Sequence, residues 1–325
     1  MSFFPETIIV TGPTATGKTA LAVKLAAHFN GEIVSIDSRQ VFRHMDIGSG
    51  KDLSEYGQVP YHLIDVADPG ENYDLFVYLQ DALKAVRDIA GRGKLPVLCG
   101  GSVMYLDALL HGYNLSGAKP DWALREELDK LDLSALNQRL CELNPPDLAL
   151  FKDTDNPLRV RRAIENTLAT GNAVSADTSG GLLESSLIMG VYFPRQTVHE
   201  RVALRLDERL KNGMIGEIQS LHDIYGVAWE VLERYGLEYR YVSEYLQGKM
   251  DYESMRNTLL YRIRKFVKRQ DIWFRKMERE GVNIHWLENG DFEQARSLTE
   301  RFLTHEVLPE SPIKLSEIFY GKKSD

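Results

Sequence analysis

Residues Gly12-Pro13-Thr14-Ala15-Thr16-Gly17-Lys18-Thr19 satisfy G-x-x-x-x-G-K-[ST] at every fixed position. A chain carrying this loop has little freedom in how it begins, because the loop works only where a strand ends and a helix starts. Both flanks are present. Thr7-Ile8-Ile9-Val10 is a β-branched run suited to a buried strand, and Ala20–Phe29 sets Leu21, Leu25, Ala26 and Phe29 at helical spacing. Consecutive backbone N–H groups and the helix N-terminus then form a concave anion site. Lys18 adds a point charge, and the Thr19 hydroxyl is suited to ligate Mg2+. The segment binds a di- or triphosphate; the alternative is a glycine-rich turn with no ligand.

The next ~100 residues alternate strand and helix. Glu32–Asp37 is a strand ending in a carboxylate, and Tyr61–Val66 reads as a third strand. A helix over Asp74–Arg92 leads into Leu95–Cys99, which is followed by Gly100-Gly101-Ser102. Alternation of this kind implies right-handed crossovers and a parallel sheet with ligands at the strands' C-terminal ends. The phosphate loop, Asp37 and Gly100-Gly101-Ser102 all fall at such ends and are expected to converge. The fold class is α/β: a P-loop NTPase-like parallel sheet flanked by helices, with a helical insertion.

The expected layout is a core of residues 1–111 and 187–303, an insertion at 112–186 and a tail at 304–325. The insertion is polar and helical, with breaks at Asn144-Pro145-Pro146 and Asn156-Pro157. Ser186–Phe193 returns to the core as a strand. Helices are expected at Thr197–Lys211, Met214–Tyr225 and Asp251–Arg279, with a last strand at Val282–Leu287. The 43% hydrophobic and 26% charged fractions suit a chain with a proper core. No stretch approaches the ~20 apolar residues of a membrane span, and the N-terminus runs into the first strand with no room for a leader, so a cytoplasmic location is expected. Cys99 and Cys141 form neither a zinc spacing nor a disulfide framework. The histidines do not pair at metal-ligand spacing.

Net charge is −8, which argues against nonspecific nucleic-acid binding. Its distribution says something else. From Arg256 to Arg279 nine basic residues face only Asp271 and Glu278, a local balance of +7. On a helix, Ile263, Phe266, Val267, Gln270, Phe274 and Met277 share one face. Lys265, Lys268, Arg269, Arg275 and Lys276 occupy the other. Such a cationic face suits a nucleic acid or phosphate surface; a solvated charged face is the alternative.

Candidates for chemistry are few. Asp37 sits beside the phosphate site, where a carboxylate holds Mg2+ through water, acts as a general base or caps the next turn. Asp65 and Asp68 compete for the metal role or shape their loop, since Asp68-Pro69-Gly70 is a turn signal. Arg201, Arg205 and Arg209 recur every four residues as one stripe suited to a diphosphate. The alternative is pairing with Glu200, Asp207 and Glu208 on the same helix. Arg159, Arg161 and Arg162 form a second cluster.

Several ordered segments resemble the tRNA dimethylallyltransferases (tRNA isopentenyltransferases). They are Gly12–Thr19, Ser35–Phe42 with Met45–Gly48, His62–Asp65 with Asp68-Pro69, Arg92-Gly93-Lys94, Gly100-Gly101-Ser102 with Tyr105, Asn156–Glu165 and Lys268–Arg275. Together they span nearly the whole chain. The resemblance implies transfer of a dimethylallyl group from its diphosphate to N6 of adenosine 37 of tRNA by a monomeric enzyme, with Mg2+ as cofactor. In that reading Gly12, Pro13, Thr14, Ala15, Thr16, Gly17, Lys18, Thr19 and Arg205 cradle the diphosphate. Asp37 is the base, and Ser102 matches a family threonine near the reacting groups. Asp37-Ser38-Arg39-Gln40, Arg159, Arg161, Arg162, Lys265, Lys268 and Arg269 face the tRNA.

Three segments depart from the family. Its Gly-Gly-Thr is Gly100-Gly101-Ser102, which keeps the hydroxyl. Its Ile-Gly-Tyr-[Arg/Lys]-Glu appears as Tyr235-Gly236-Leu237-Glu238-Tyr239-Arg240, and its His-Pro-Asn-Asp as Asp153-Thr154-Asp155-Asn156. The last two are expected at RNA-facing or structural positions and would suit a divergent paralogue with altered tRNA preference. Competing readings are a P-loop kinase or NTPase on a small molecule, an adenylate isopentenyltransferase, and a GTPase-like switch. The last lacks an Asn-Lys-x-Asp segment.

Overall fold

The computed structural model describes residues 4–112, 121–173 and 181–318. Two compact units emerge: Met1–Leu110 with Leu182–Asp325, and His111–Gly181. The first contains a six-stranded, wholly parallel sheet. In chain order it is built from β1 (Thr7–Thr11), α1 (Lys18–His28), β2 (Gly31–Ile36), β3 (Tyr61–His62), α2 (Leu75–Gly91), β4 (Leu95–Gly100) and α3 (Val103–His111). The second unit follows, with α4 (Trp122–Leu128), α5 (Leu133–Leu143) and α6 (Pro157–Thr170). The chain re-enters the first unit through β5 (Ser186–Tyr192), α7 (Arg195–Lys211), α8 (Met214–Asp223), α9 (Trp229–Tyr235), α10 (Leu237–Leu246), α11 (Tyr252–Arg279), β6 (His285–Glu288) and α12 (Phe292–Leu303).

Strand order is β3-β2-β4-β1-β5-β6. Inserting β4 between β1 and β2 makes β2, β4 and β1 consecutive neighbours, with Ile9 paired to Leu98 and Ile33 to Val97. Every residue of β1, β2 and β4 is buried. This is why these strands read as continuous apolar runs rather than alternating ones. One core joins the sheet to α1 and α12 through Leu21, Leu25, Val97, Met189 and Leu298. A second gathers α7 to α11 around Val202, Ile218, Tyr239, Leu259 and Val267, and reaches Val41, Phe42 and Met45 of the segment after β2. The other unit has its own small core of Leu128, Leu136, Leu140, Val160 and Ile164.

Several helix starts carry side-chain caps. Asp74 accepts from the N–H groups of Phe76 and Val77, Asp251 from Ser254, and Asn156 from Leu158 and Arg159. Two strands differ from expectation. The third covers only Tyr61–His62, because Leu63 (φ 61°) and Asp65 (φ 58°) turn left-handed and peel the chain off the sheet edge. The N–H groups of Asp65 and Val66 then bond the carbonyls of Gln40 and Val41. The last strand begins at His285 rather than Val282. The end of α11 is closed by the Val282 N–H on the Met277 carbonyl, and pairing with β5 starts only at His285. Beyond Leu303 the chain returns to α11, where the Glu278 carboxylate accepts from the N–H groups of Leu315 and Ser316.

Candidate active site

Because β2, β4 and β1 are adjacent, the loops leaving their C-terminal ends meet over one cavity of about 760 Å³. Thr14, Ala15, Gly17, Lys18, Thr19, Asp37, Ser38, Arg39, Gln40, Ser102 and Arg205 all line it. Gly12, Pro13 and Thr16 lie outside the lining. Gly12 sits beneath, against the Val191 backbone, and the Thr16 hydroxyl closes the loop onto the Pro13 carbonyl at 2.8 Å. Lys18 opens α1, whose first N–H groups have no partner within the helix.

Asp37 and Ser102 are locked to each other through backbone. Asp37 Oδ1 accepts from the N–H groups of Arg39 (2.8 Å) and Gln40 (3.2 Å). Oδ2 makes no hydrogen bond among the described residues. The Ser102 Oγ accepts from the Ser38 N–H at 3.3 Å, and the Ser102 N–H donates to the Ile36 carbonyl. A side chain at Gly100 is impossible here: its Cβ would stand 2.1 Å from the Ile36 carbonyl oxygen. Asp37 thus caps its turn with one oxygen and leaves the other uncommitted among the described residues.

Burial pushes the Lys18 ammonium below its ordinary pKa; Cys99 opposes this and Arg205 adds to it. Burial also raises the Cys99 thiol, to about 11. Arg205 reaches Thr14 Oγ1 at 3.4 Å and pairs with Asp52 at 2.9 Å. Arg201 stacks on Phe193, 4.1 Å from the ring centre. The same-helix pairs do not form: Asp207 is taken by Arg256 from α11, and Arg209 faces Glu238 of α10. The segment carrying Asp52 is pinned by the half-buried Glu217 and the buried Lys51. Glu217 accepts from the N–H groups of Asp46, Ile47 and Gly48, and Lys51 donates to the Phe42 carbonyl and to Asp46 and Asp65. Asp65 therefore shapes its loop.

Four of these residues escaped sequence reasoning. Gln270, 2% exposed, accepts from the Thr14 N–H (3.1 Å) and donates to the Gly101 carbonyl (2.8 Å), tying the phosphate loop to the β4 turn. Its one visible signal was a polar residue on an apolar face. Glu217 and Lys51 carried none, since their partners are brought together only by packing, and Glu238 was visible only as part of the departure at Tyr235–Arg240. Leu237 and Glu238 line the cavity. This part of the Tyr235–Arg240 departure thus borders the cavity.

The basic residues divide. Lys265, Lys268 and Arg269 stand exposed on α11, with Lys265 over the Tyr261 ring at 4.6 Å. Arg275 leaves that face: its Nε bonds Asp271 and its Nη1 the Ile318 carbonyl. In the other unit Arg159 pairs with Asp153, Arg161 with Asp129 and Arg162 with Glu165. Asn156, within the other departure, is the helix cap.

A parallel sheet whose phosphate loop opens into such a cavity defines a P-loop α/β enzyme. The family model for IPP transferase matches residues 40–277, and that for isopentenyl transferase residues 5–58. The chain is 47% identical to "tRNA dimethylallyltransferase 2" of Syntrophotalea carbinolica over 86% of its length and 93% of that protein. It is 44% identical to "tRNA dimethylallyltransferase 1" of Geotalea daltonii over 94% and 97%. The solved tRNA isopentenylpyrophosphate transferase of Bacillus halodurans superposes with a TM-score of 0.66 at 30% identity, covering 92% of this chain and 96% of that one. A eukaryotic dimethylallyltransferase acting on tRNA shares the fold, with a TM-score of 0.77 at 22% identity over 94% and 81%. The chain belongs to the IPP transferase family and is a prenyl-transferring enzyme.

Proposed function

We propose that the cavity holds dimethylallyl diphosphate and that Asp37 deprotonates N6 of adenosine 37 of tRNA as it attacks the allylic carbon. The observation that carries this reading is the placement of Asp37, with Oδ2 uncommitted, on the same cavity as Lys18 and Arg205. In the reaction the allylic C–O bond breaks and an N6–C bond forms. The N6 proton passes to Asp37, and diphosphate leaves. Negative charge then grows on the leaving group, where the loop N–H groups, Lys18 and Arg205 bind it. An exocyclic amine is a poor nucleophile until a carboxylate in hydrogen-bond reach takes its proton. Ser102, tied to the Ser38 N–H, keeps the Asp37 turn in register. The adenine must leave its stack to enter.

The lining carries as many carboxylates as cations, so an arriving diphosphate calls for added positive charge. Among the described residues no group of three or more His, Cys, Asp or Glu side chains could hold a metal. Thr19 is the residue that would hold an Mg2+ ion there. When bound, Mg2+ neutralises the leaving diphosphate. Lys265, Lys268 and Arg269 are read as contacts to the tRNA backbone, and Arg159, Arg161 and Arg162 would serve so only by exchanging their acidic partners. A monomeric state and a cytoplasmic location belong to the same proposal. Among the described residues no helix is long and apolar enough to cross a membrane.

The test is incubation with Mg2+ and radiolabelled dimethylallyl diphosphate, with tRNA, AMP or no acceptor. Label in tRNA is expected. Label in AMP alone, or ATP hydrolysis without prenyl transfer, would overturn the reading.

A further inference from the structure

Arg209 follows Arg205 by one turn of α7, and the two guanidinium groups share a platform. A Cβ at Gly50 would lie 1.6 Å from Arg209 Nη2 and 2.5 Å from Arg205 Nη2. Gly50 is the residue that lets both groups rest against the loop, which Glu217 and Lys51 hold from behind and Gln40 Nε2 holds through the Gly50 carbonyl at 3.0 Å. Two adjacent cations repel. They persist side by side only where something negative is supplied.

Arg209 is poorly supplied by the protein. Its side chain is 14% exposed, yet its contacts are long: Nη1 to the Gly48 carbonyl at 3.4 Å, and Nη1 to Glu238 Oε1 at 3.6 Å. Among the described residues Nη2 and Nε make no hydrogen bond. Neighbouring arginines meet their carboxylates more closely. Arg256 meets Asp207 with two bonds of 2.7 Å, and Arg205 meets Asp52 at 2.9 Å. A guanidinium has five N–H donors in a fixed fork, and a buried one left with two long contacts is a charge short of its partner. Burial, with Arg205 second, lowers the Arg209 pKa from its ordinary value. Both arginines line the cavity with Thr14 and Lys18. Glu238, 6% exposed, stands where the resembling family carries Arg or Lys, so in this chain the cation of that wall comes from the facing helix.

We propose that Arg209 is a second arginine ligand of the diphosphate, beside Arg205, and that Glu238 is the counter-carboxylate holding it in place until the anion arrives. The proposal rests on the diphosphate reading of the cavity. On anion binding the Nη2 and Nε donors take diphosphate oxygens, and the Glu238 contact, already long, weakens. Glu238 therefore sets the affinity: it competes with the ligand for the same guanidinium.

The experiment is isothermal titration of inorganic pyrophosphate with Mg2+ into the full chain and into Arg209→Gln, Arg209→Lys, Glu238→Gln and Arg205→Gln, with a melting curve for each. Removal of one charge-assisted pair of hydrogen bonds should weaken pyrophosphate about 10- to 100-fold in Arg209→Gln. Arg209→Lys should recover part of that loss, because it keeps the charge but not the fork. Glu238→Gln should tighten pyrophosphate severalfold. If wild type and Arg205→Gln bind no pyrophosphate, the diphosphate reading itself fails. If wild type binds and Arg209→Gln binds equally well, only this inference fails. A purely structural ion pair would lower the melting temperature of Arg209→Gln and Glu238→Gln alike and leave both affinities at the wild-type value, which also overturns it.

Discussion

Gln270→Leu isolates the link between the phosphate loop and the β4 turn. Leucine nearly conserves volume at a position 2% exposed, so the cavity contribution is small and the cost is that of polar groups left without partners. The Gly101 carbonyl is buried and loses its donor at 2.8 Å, at a cost of about 1–3 kcal/mol. The Thr14 N–H loses its acceptor at 3.1 Å but lies on a half-exposed loop that water reaches, which puts its cost near ~1 kcal/mol. A total of about 2–4 kcal/mol follows. Unfolding entropy near ~2.1 cal/mol/K per residue converts this to a fall of roughly 3–6 °C in Tm for a chain of 325 residues. The donor KM should rise more than kcat falls, because the loop that holds diphosphate is loosened while Asp37 keeps its own turn. Gln270→Glu sharpens the test. It keeps an acceptor for Thr14 but sets a carboxylate oxygen against the Gly101 carbonyl, so its carboxyl pKa is raised in the fold. Its stability should approach wild type at low pH and be lost as pH rises through that raised value. The assays are thermal unfolding against pH and steady-state kinetics with varied donor. A Gln270→Leu protein that melts within about 1 °C of wild type with an unchanged donor KM would refute the reasoning.

Asp37→Ala should abolish prenyl transfer while pyrophosphate still binds, since the loop and Lys18 are untouched; near-normal turnover would remove Asp37 from the base role. Glu32, 2% exposed and held by Arg92, Lys94 and His62, keeps its carboxyl well below the usual range, chiefly through the Arg92 hydrogen bonds. Its contribution is full above the unfolded value and fades as pH falls toward the depressed one. Glu32→Gln should therefore flatten the acid limb of stability by up to ~1.4 kcal/mol per pH unit, seen in urea titrations between about pH 5 and 2. Cys141 is exposed and Cys99 buried with its thiol pushed up to about 11, so a thiol reagent at pH 8 should modify one cysteine quickly and the other only on unfolding. Lys268→Ala with Arg269→Ala should lower the slope of log affinity for tRNA against log salt by about 1–2, and an unchanged slope would take α11 out of the RNA surface.

Legibility followed distance along the chain. The loop at Gly12–Thr19, the helix starts at Asp74 and Asp251, the break at Asn156-Pro157 and the sorted faces of α11 depend on residues within a few positions of one another, and each was readable in advance. Tyr61–Val66 failed as a full strand because Leu63 and Asp65 adopt positive φ to deliver Asp65 to the buried Lys51, a requirement that no local pattern carries. The Arg201–Arg209 stripe was visible as a spacing. Its three separate fates, on Phe193, Asp52 and Glu238, were not, because those partners come from the turn after β5, the segment after β2, and α10.

The sequence alone determined that a phosphate-loop motif opens the first helix, that strands alternate with helices into a parallel sheet, and that a cationic helix lies in an acidic chain. These follow from turn chemistry and from the period of apolar residues, which act over one or two turns. The convergence of Asp37, Ser102 and Lys18 was expected from their places at strand ends; tertiary structure alone decided the strand order that achieves it, with β4 entering between β1 and β2. It also decided that Gln270 and Thr14, 256 residues apart, are hydrogen-bonded, and that Arg209 faces Glu238 with donors to spare. Such partners are chosen by sheet order and helix packing, which reward burial wherever in the chain it is found.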